Sequence, residues 1–340
     1  MTTPGKTWHL RRLCDAQGRF KMLAVDQRPP ITQLIASGRG IAREAVAFAD
    51  MVAVKALLAR ELSGEATAVL LDPNYAYHAA IDALNPRTGL IVTLEDHRFV
   101  ETPTGRTSSA IADWSVSKIK RLGADGVKVL AWYRPDADIS VCAHQQRFVQ
   151  EIGQSCREFD IPFIFELLVY PFTSAKHHTA DYVEDPHKRP QLVIDSVREF
   201  SKVRYGVDLF KLESPVNAAA LQPGDTAAQA WFNQLNEVVS GRPWVMLSAG
   251  ANSADFERVL EAAYRAGANG YLAGRAIWWE AMRQFPDLAA CSKGLRETGV
   301  TTMQRYNRLT DEGAKTWLRR TTPAAVSEEG QWARAYEAMP

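Results

Sequence analysis

The chain has 340 residues, a length that fits one large α/β barrel or two ordinary domains. Hydrophobic residues make up 46% and charged residues 23%, so the chain can bury a sizeable core as a globular protein does. The formal net charge of +1 provides no global field to attract nucleic acid or an anionic membrane, so any anionic ligand must be bound by local cations and backbone amides.

Targeting and redox features favour the cytoplasm. The opening stretch MTTPGKTWHLRR lacks the apolar core of a signal peptide, and no apolar run approaches the roughly 20 residues needed to span a bilayer. The cysteines are far apart and form no CxxC pair: Cys14, Cys142, Cys156 and Cys291. We therefore expect a cytoplasmic protein with reduced thiols that binds neither nucleic acid nor a membrane.

Eight short apolar runs alternate with longer amphipathic segments. Near-continuous hydrophobicity is typical of parallel strands that helices cover on both faces. In chain order, the predicted strands are Lys21–Asp26, Thr67–Asp72, Leu90–Leu94, Gly126–Ala131, Pro162–Leu167, Val207–Glu213, Trp244–Ser248 and Gly270–Ala273.

The intervening segments carry helical periodicity. The clearest predicted helices are Ala42–Leu62, Trp114–Leu122, Gln145–Phe159, Pro190–Tyr205, Asn252–Ala266 and Ile277–Phe285. Strand–helix alternation repeated eight times predicts an α/β protein with a closed (β/α)8 TIM barrel. We expect a single domain over residues 1–340, with residues 292–340 as peripheral C-terminal helices.

An open doubly wound sheet is the structural alternative. Such a sheet usually has a glycine-rich turn after its first strand, whereas this strand ends in the sequence DQRPP and carries no GxGxxG. The missing motif argues against dinucleotide binding, and we expect no cofactor.

In a (β/α)8 barrel, active-site groups lie at the carboxyl ends of the strands. Lys211 and Lys128 both stand within apolar strands, where lysine is rarely buried without a reason. Two lysines projecting into one lumen repel each other, so one can be the neutral nucleophile while the other stays charged and binds an anion or a carbonyl oxygen. The alternative for each is a strand-end lysine that reaches solvent.

Glu166 is a carboxylate within another apolar strand, so we expect it to form an ion pair or to take part in catalysis. Beside either lysine it can shuttle protons during formation and hydrolysis of a Schiff base, or it can be a structural ion pair. At the end of the first strand, Asp26 can orient a lysine, Gln27 can bind sugar hydroxyls and Arg28 can bind an anion. Asp72 is interpreted as a residue that simply ends the second strand.

The last two strands are followed by small-residue turns. In barrels these loops often form a phosphate site, because glycines let the backbone approach the anion and amides at a helix start point at it. The predicted phosphate-binding residues are Ser248, Gly250, Gly274 and Arg275. The histidines lack the spacing of metal ligands, so we expect no catalytic metal.

The sequence resembles the class I tagatose-1,6-bisphosphate aldolases from about Gly18 to beyond Trp317. The motifs that carry the resemblance are LAVDQR, LLDPNYAYHA, DWSVSKIKRLGADGVKVLAWY, DIPFIFELLVY, DLFKLESPVN, WVMLSAG and LAGRAIW. It is also similar to a sister family, the aldolases of 6-deoxy-6-sulfofructose-1-phosphate. The stretch Tyr170–Pro190, which has its own character, is expected to shape the distal end of the substrate site.

The resemblance implies a metal-free barrel in which Lys211 forms the Schiff base, Glu166 is the acid/base beside it and Lys128 contacts substrate. Asp26 and Gln27 match positions that line the same site. The four residues of the two glycine turns match the phosphate site, and a homodimer or higher homo-oligomer is implied.

These observations predict an aldehyde-lyase that cleaves a ketohexose (bis)phosphate, such as tagatose 1,6-bisphosphate, into dihydroxyacetone phosphate and glyceraldehyde 3-phosphate. Three alternatives stay open: a sulfofructose-phosphate aldolase or a transaldolase, a sugar-phosphate-binding regulatory barrel, and a phosphate-binding isomerase.

Overall fold

The computed structural model describes residues 3–178, 185 and 187–318. Within these residues the chain forms ten strands: β1 (Phe20–Ala24), β2 (Ala68–Leu71), β3 (Gly89–Thr93), β4 (Val100–Thr102), β5 (Gly105–Thr107), β6 (Gly126–Trp132), β7 (Phe163–Leu168), β8 (Leu209–Leu212), β9 (Trp244–Met246) and β10 (Gly270–Ala273). Eight of them close into a parallel barrel in the order β1-β10-β9-β8-β7-β6-β3-β2. The predicted (β/α)8 barrel is therefore confirmed, and each predicted strand run contains one barrel strand apart from one or two end residues.

Helices cover the outside of the barrel. They are α1 (Pro4–Arg12), α2 (Pro29–Arg39), α3 (Phe48–Leu62), α4 (Tyr77–Ala80), α5 (Val116–Arg121), α6 (Ile139–Glu158), α7 (Pro190–Phe200), α8 (Thr226–Val238), α9 (Ser253–Ala266), α10 (Arg275–Met282), α11 (Leu288–Gly294) and α12 (Val300–Gly313). No helix in the described part of the chain is long and apolar enough to cross a membrane.

Two apolar clusters fill the body of the barrel. A large cluster lies between the strands and the surrounding helices, while a smaller one fills the lower lumen with inward side chains such as Met22, Ile164 and Leu209. Leu10 of α1 and the following Leu13 join the inner cluster, so the N-terminal helix closes the amino end of the barrel. With that end filled, the open space of the lumen lies at the carboxyl ends of the strands.

The chain beyond β10 is helical, as predicted for the C-terminal extension, over α11 and α12. A π-helical turn, Leu295–Gly299, joins these two helices. The Lys315 N–H then donates to the Ala268 carbonyl oxygen at 2.9 Å, and the Trp317 N–H donates to the Gly18 carbonyl oxygen at 2.9 Å. Residues 319–340, which the prediction also covered, lie outside the described residues.

The short antiparallel hairpin β4–β5 was not predicted. It follows β3 at the carboxyl end of the barrel, where the Arg106 N–H donates to the Tyr170 hydroxyl oxygen at 3.0 Å. The buried Arg106 guanidinium lies 4.5, 4.8 and 4.9 Å from the ring centroids of Phe99, Trp132 and Tyr170. Cation–π contacts of this kind stabilise the hairpin against the rim of the barrel.

Candidate active site

A cleft of about 580 Å³ opens at the carboxyl end of the barrel. Its lining residues come from the strand ends and the turns after them: Ala24, Asp26, Gln27, Arg28, Pro29, Pro30, Glu95, His97, Lys128, Leu130, Glu166, Leu168, Lys211, Leu247, Ser248, Ala249, Leu272, Gly274 and Arg275. All the predicted site residues except Gly250 are in this set.

Lys211 and Glu166 meet because they are register partners on the adjacent parallel strands β8 and β7. Paired positions on neighbouring strands present their side chains on the same face, here the lumen. Lys211 Nζ donates to Glu166 Oε2 at 2.8 Å, and both side chains are buried. An amine and a carboxylate at this distance can exchange a proton directly.

Lys128 is the centre of the charged network. Its Nζ lies 2.8 Å from Asp26 Oδ2, 2.7 Å from Glu95 Oε1 and 2.9 Å from Glu166 Oε2. The contacts with Asp26 and Glu95 are hydrogen bonds donated by Lys128, and the contact with Glu166 is an ion pair. Glu166 Oε2 therefore lies between Lys128 and Lys211.

The pKa values of these groups reflect burial and mutual charge. Burial disfavours the ammonium of Lys128, but Asp26, Glu166 and Glu95 outweigh it and raise its pKa well above the ordinary value. Burial opposes ionisation of Asp26 and Glu166 as well, yet Lys128 and Lys211 lower both pKa values. For Glu95 burial prevails over Lys128 and Arg28, and its pKa is raised.

Arg28 lies against Glu95. Its Nη1 and Nη2 are each 3.4 Å from the Glu95 carbonyl oxygen, and Nη2 is 3.6 Å from Glu95 Oε1. Within the described chain, four cleft residues have a buried polar atom with no hydrogen-bond partner: Asp26 Oδ1, Gln27 Oε1, Arg28 Nε and Glu95 Oε2. Buried polar atoms are normally hydrogen-bonded, so these atoms suit a polar ligand.

The predicted phosphate site is formed by the turns after β9 and β10. Gly274 caps the N-terminus of α10, and a Cβ there would lie 2.6 Å from the Ala24 carbonyl oxygen. Gly250 has a φ of +94°, and a Cβ there would lie 3.1 Å from Arg275 Nη1. Gly250 thus stays in the site by packing on the arginine, although it is not a lining residue. A helix start beside an arginine and small residues can bind a phosphate.

Comparisons with known proteins identify the family of this chain. The family model described as DeoC/LacD family aldolase matches residues 20–280. The tagatose 1,6-diphosphate aldolase 1 of Streptococcus mutans is 33% identical, covering 94% of this chain and 99% of that protein. The corresponding enzyme of Enterococcus faecalis is 32% identical, covering 91% of this chain and 95% of the other. This chain belongs to the DeoC/LacD aldolase family.

Solved structures support the fold of this aldolase. A Schiff-base-forming fructose-1,6-bisphosphate aldolase has a TM-score of 0.57 at 17% identity, covering 90% of this chain and 99% of that one. The fructose-bisphosphate aldolase of Plasmodium falciparum has a TM-score of 0.66 at 12% identity, covering 93% and 98%. At these identities the likeness concerns the barrel alone.

Asp72 ends β2 of the aldolase and lies away from the cleft lining, in keeping with its interpretation from sequence. It forms a fully buried ion pair with Lys55 of α3. Lys55 Nζ also donates to the Val25 carbonyl oxygen at 2.8 Å. Lys55 therefore fixes the backbone directly before Asp26.

Sequence reasoning missed two titratable lining residues, Glu95 and His97. Glu95 directly follows the predicted strand Leu90–Leu94, and that position at a strand end was the available signal. The expected specificity stretch Tyr170–Pro190 is described only in part, because residues 179–184 and 186 lie outside the described residues. Among the described residues, no group of three or more His, Cys, Asp or Glu side chains is arranged to bind a metal ion.

Proposed function

We propose that this aldolase cleaves a ketohexose 1,6-bisphosphate of the tagatose type through a Schiff base on Lys211. The observation that carries the proposal is the 2.8 Å contact between Lys211 Nζ and Glu166 Oε2 inside the cleft. The names of the relatives support the substrate class, since tagatose 1,6-diphosphate aldolases are 31–33% identical over more than nine-tenths of both chains.

The first stage is formation of the Schiff base. The neutral amine of Lys211 attacks the C2 ketone, and the carbinolamine then loses water. Glu166 lies within reach to give a proton to the departing hydroxyl and to take one from the nitrogen. Lys128, held charged by three carboxylates, keeps Glu166 in place while the proton moves.

Bond cleavage follows from the positive charge of the iminium. The C4 hydroxyl loses its proton to a carboxylate, the C3–C4 bond breaks, and its electron pair flows into the iminium to form an enamine. Glyceraldehyde 3-phosphate leaves as the aldehyde. Protonation of the enamine at C3 and hydrolysis of the iminium then release dihydroxyacetone phosphate and free Lys211.

The phosphate on C1 sets the orientation of the substrate in the cleft. Arg275 and the amides at the start of α10 lie beside the ends of β9 and β10, so an anion there places C2 toward the lysine on β8. Ser248 and Gly274 supply the small walls of this phosphate site.

Borohydride trapping tests the proposal. The protein is reduced in the presence of dihydroxyacetone phosphate, and its peptides are analysed by mass spectrometry. We expect a reduced three-carbon adduct on Lys211 and cleavage that resists a chelator. Activity that a chelator removes, without any adduct, would overturn the proposal. Cleavage rates for tagatose, fructose and sulfofructose phosphates then rank the substrates.

The assembly, compartment and domain organisation stay predictions. We propose a cytoplasmic protein that forms a homodimer or a higher homo-oligomer and whose whole chain is one folding unit. Light scattering after size-exclusion chromatography measures the assembly, and limited proteolysis tests the single unit.

A further inference from the structure

Glu95 is a deeply buried cleft residue with an unpaired carboxylate oxygen. It is 2% exposed and follows β3 by two residues. Its Oε1 is 2.7 Å from Lys128 Nζ, whereas its Oε2 is buried without a partner among the described residues. Leaving a buried oxygen unpaired is unfavourable, so a ligand group that donates to it would be bound with a gain.

The position of Glu95 in the barrel places it beside the aldehyde half of the substrate. In the closed strand order β3 lies directly opposite β9. A ketose phosphate with its phosphate beside β9 and β10 and its C2 at Lys211 must extend its remaining carbons across the lumen. Those carbons pass Glu166 and Lys128 and arrive at the end of β3.

The unpaired atoms of the cleft define the chemistry that fits. Lys128 is surrounded by three carboxylates, those of Asp26, Glu95 and Glu166, which compete with a ligand for its N–H donors. Three of the four unpaired atoms are oxygens: those of Asp26, Gln27 and Glu95. Oxygen acceptors match hydroxyl donors, and the fourth unpaired atom, Arg28 Nε, is itself a donor.

We propose that Glu95 binds the C5 hydroxyl of the ketose and so selects hydroxylated over deoxygenated aldehyde halves. The proposal rests on the Schiff-base reaction at Lys211 and deepens it. C5 is the carbon next to the one that becomes the aldehyde, so in the reverse, aldol direction the same hydroxyl is the 2-hydroxyl of glyceraldehyde 3-phosphate.

The reverse reaction provides a matched pair of substrates. With dihydroxyacetone phosphate as donor, kcat/KM is measured for glyceraldehyde 3-phosphate and for 3-oxopropyl phosphate, which lacks only the 2-hydroxyl. We expect the wild-type protein to prefer the hydroxylated aldehyde by about 10- to 100-fold, the usual effect of one hydrogen bond to a charged group.

Two variants of Glu95 test separately whether it binds the substrate hydroxyl and whether it only pairs with Lys128. E95A removes the oxygen, and we expect the preference to fall to within about threefold of unity. E95Q keeps an oxygen for Lys128 but turns an N–H toward the cleft, so its preference should lie between the two. The control is E61A, which removes a carboxylate of α3 that accepts from Ser292 outside the cleft, and its preference should match the wild type.

The outcomes distinguish this inference from the proposed function. No adduct of dihydroxyacetone phosphate on wild-type Lys211 would overturn the function itself. An adduct together with a wild-type preference near unity would overturn only the role of Glu95, even if both Glu95 variants fail to fold. If the Glu95 variants lose kcat/KM equally for both aldehydes and keep the preference, Glu95 acts in structure or proton transfer. That result would overturn the inference as well.

Discussion

Glu166 and Lys211 are register partners on β7 and β8, and one carboxylate oxygen, Oε2, lies 2.8 Å from the Lys211 amine. The same oxygen lies 2.9 Å from Lys128. Glu166 therefore keeps a cationic partner whether Lys211 is an ammonium, a neutral amine or a Schiff base. This redundancy would let Lys211, the proposed nucleophile, change its charge without leaving a buried carboxylate alone.

Replacing Lys211 by methionine should abolish cleavage and preserve the fold. The variant loses the nucleophile, so kcat should fall by at least about a thousandfold, while Lys128 still pairs with Glu166. Steady-state kinetics and urea unfolding measure the two effects. K202M, at an exposed lysine paired with Glu199, is the control and should keep full activity. Substantial cleavage by K211M would contradict the Schiff-base assignment.

Lys128→Met should destabilise the protein far more than Lys211→Met. It leaves Asp26, Glu95 and Glu166 buried without their shared ammonium, and breaking a buried ion pair costs about 3–5 kcal/mol. Urea unfolding at pH 7 should show this loss in the free energy of unfolding. Equal stability of the two variants would argue against Lys128 as the centre of the network.

The pH dependence of stability follows from the same charges. In the wild type the pKa values of Asp26 and Glu166 are lowered, so the stability that they contribute is present above their ordinary values of 3.8 and 4.5. It is lost as the pH falls below those values. In K128M the sign reverses for Asp26, because a buried carboxylate without its ammonium partner binds a proton more tightly than in the unfolded chain, whereas Glu166 still pairs with Lys211. The difference in the free energy of unfolding between the wild type and K128M should therefore shrink as the pH falls from 7 toward about 4.

Part of this site was visible in the sequence because of where charge occurs. Lys128, Glu166 and Lys211 interrupt apolar strands, and a charge inside a buried strand is costly enough to indicate a role. Glu95 comes just after its strand, where a carboxylate is ordinary. Its burial results from Lys128 and Arg28, which arrive from other strands and were not predictable as its neighbours.

The fold likewise has parts that local sequence predicts and parts that depend on tertiary packing. The strands were predictable because apolar runs identify parallel strands. Helix α2 was missed because Pro29 and Pro30 suggest a turn, although proline is well tolerated in the first turn of a helix. The β4–β5 hairpin depends on the packing of Arg106 among three aromatic rings, and sequence periodicity does not report such contacts.

His97 should stay neutral well below the usual range for histidine. Burial and the nearby Arg28 lower its pKa to about 4, against the opposing effect of Asp96. The unfolded chain binds a proton near pH 6.5, so stability should decline as the pH falls from 6.5 to 4. We expect a loss of roughly 1–2 kcal/mol for this partly exposed ring.

Two measurements check this prediction. The NMR titration of His97 should have its midpoint near pH 4. H97Q should lose less stability than the wild type between pH 6.5 and 4, whereas H78Q, at an exposed histidine outside the cleft, should follow the wild type. A His97 midpoint near 6.5 would show that the cleft does not disfavour its charged form.

Gly274→Ala should damage the phosphate site specifically. The added Cβ would lie 2.6 Å from both the Ala24 carbonyl oxygen and Gln27 Nε2, so the start of α10 and Arg275 must shift. We expect KM for the ketose bisphosphate to rise by about tenfold or more, since overpacking of this kind costs about 1–3 kcal/mol. Gly64 has no atom within 4 Å of its added Cβ, so G64A is the matched control and should leave KM unchanged. An unchanged KM in correctly folded G274A would place the phosphate elsewhere in the cleft, because no ligand held by the α10 amides could keep its contacts through that displacement.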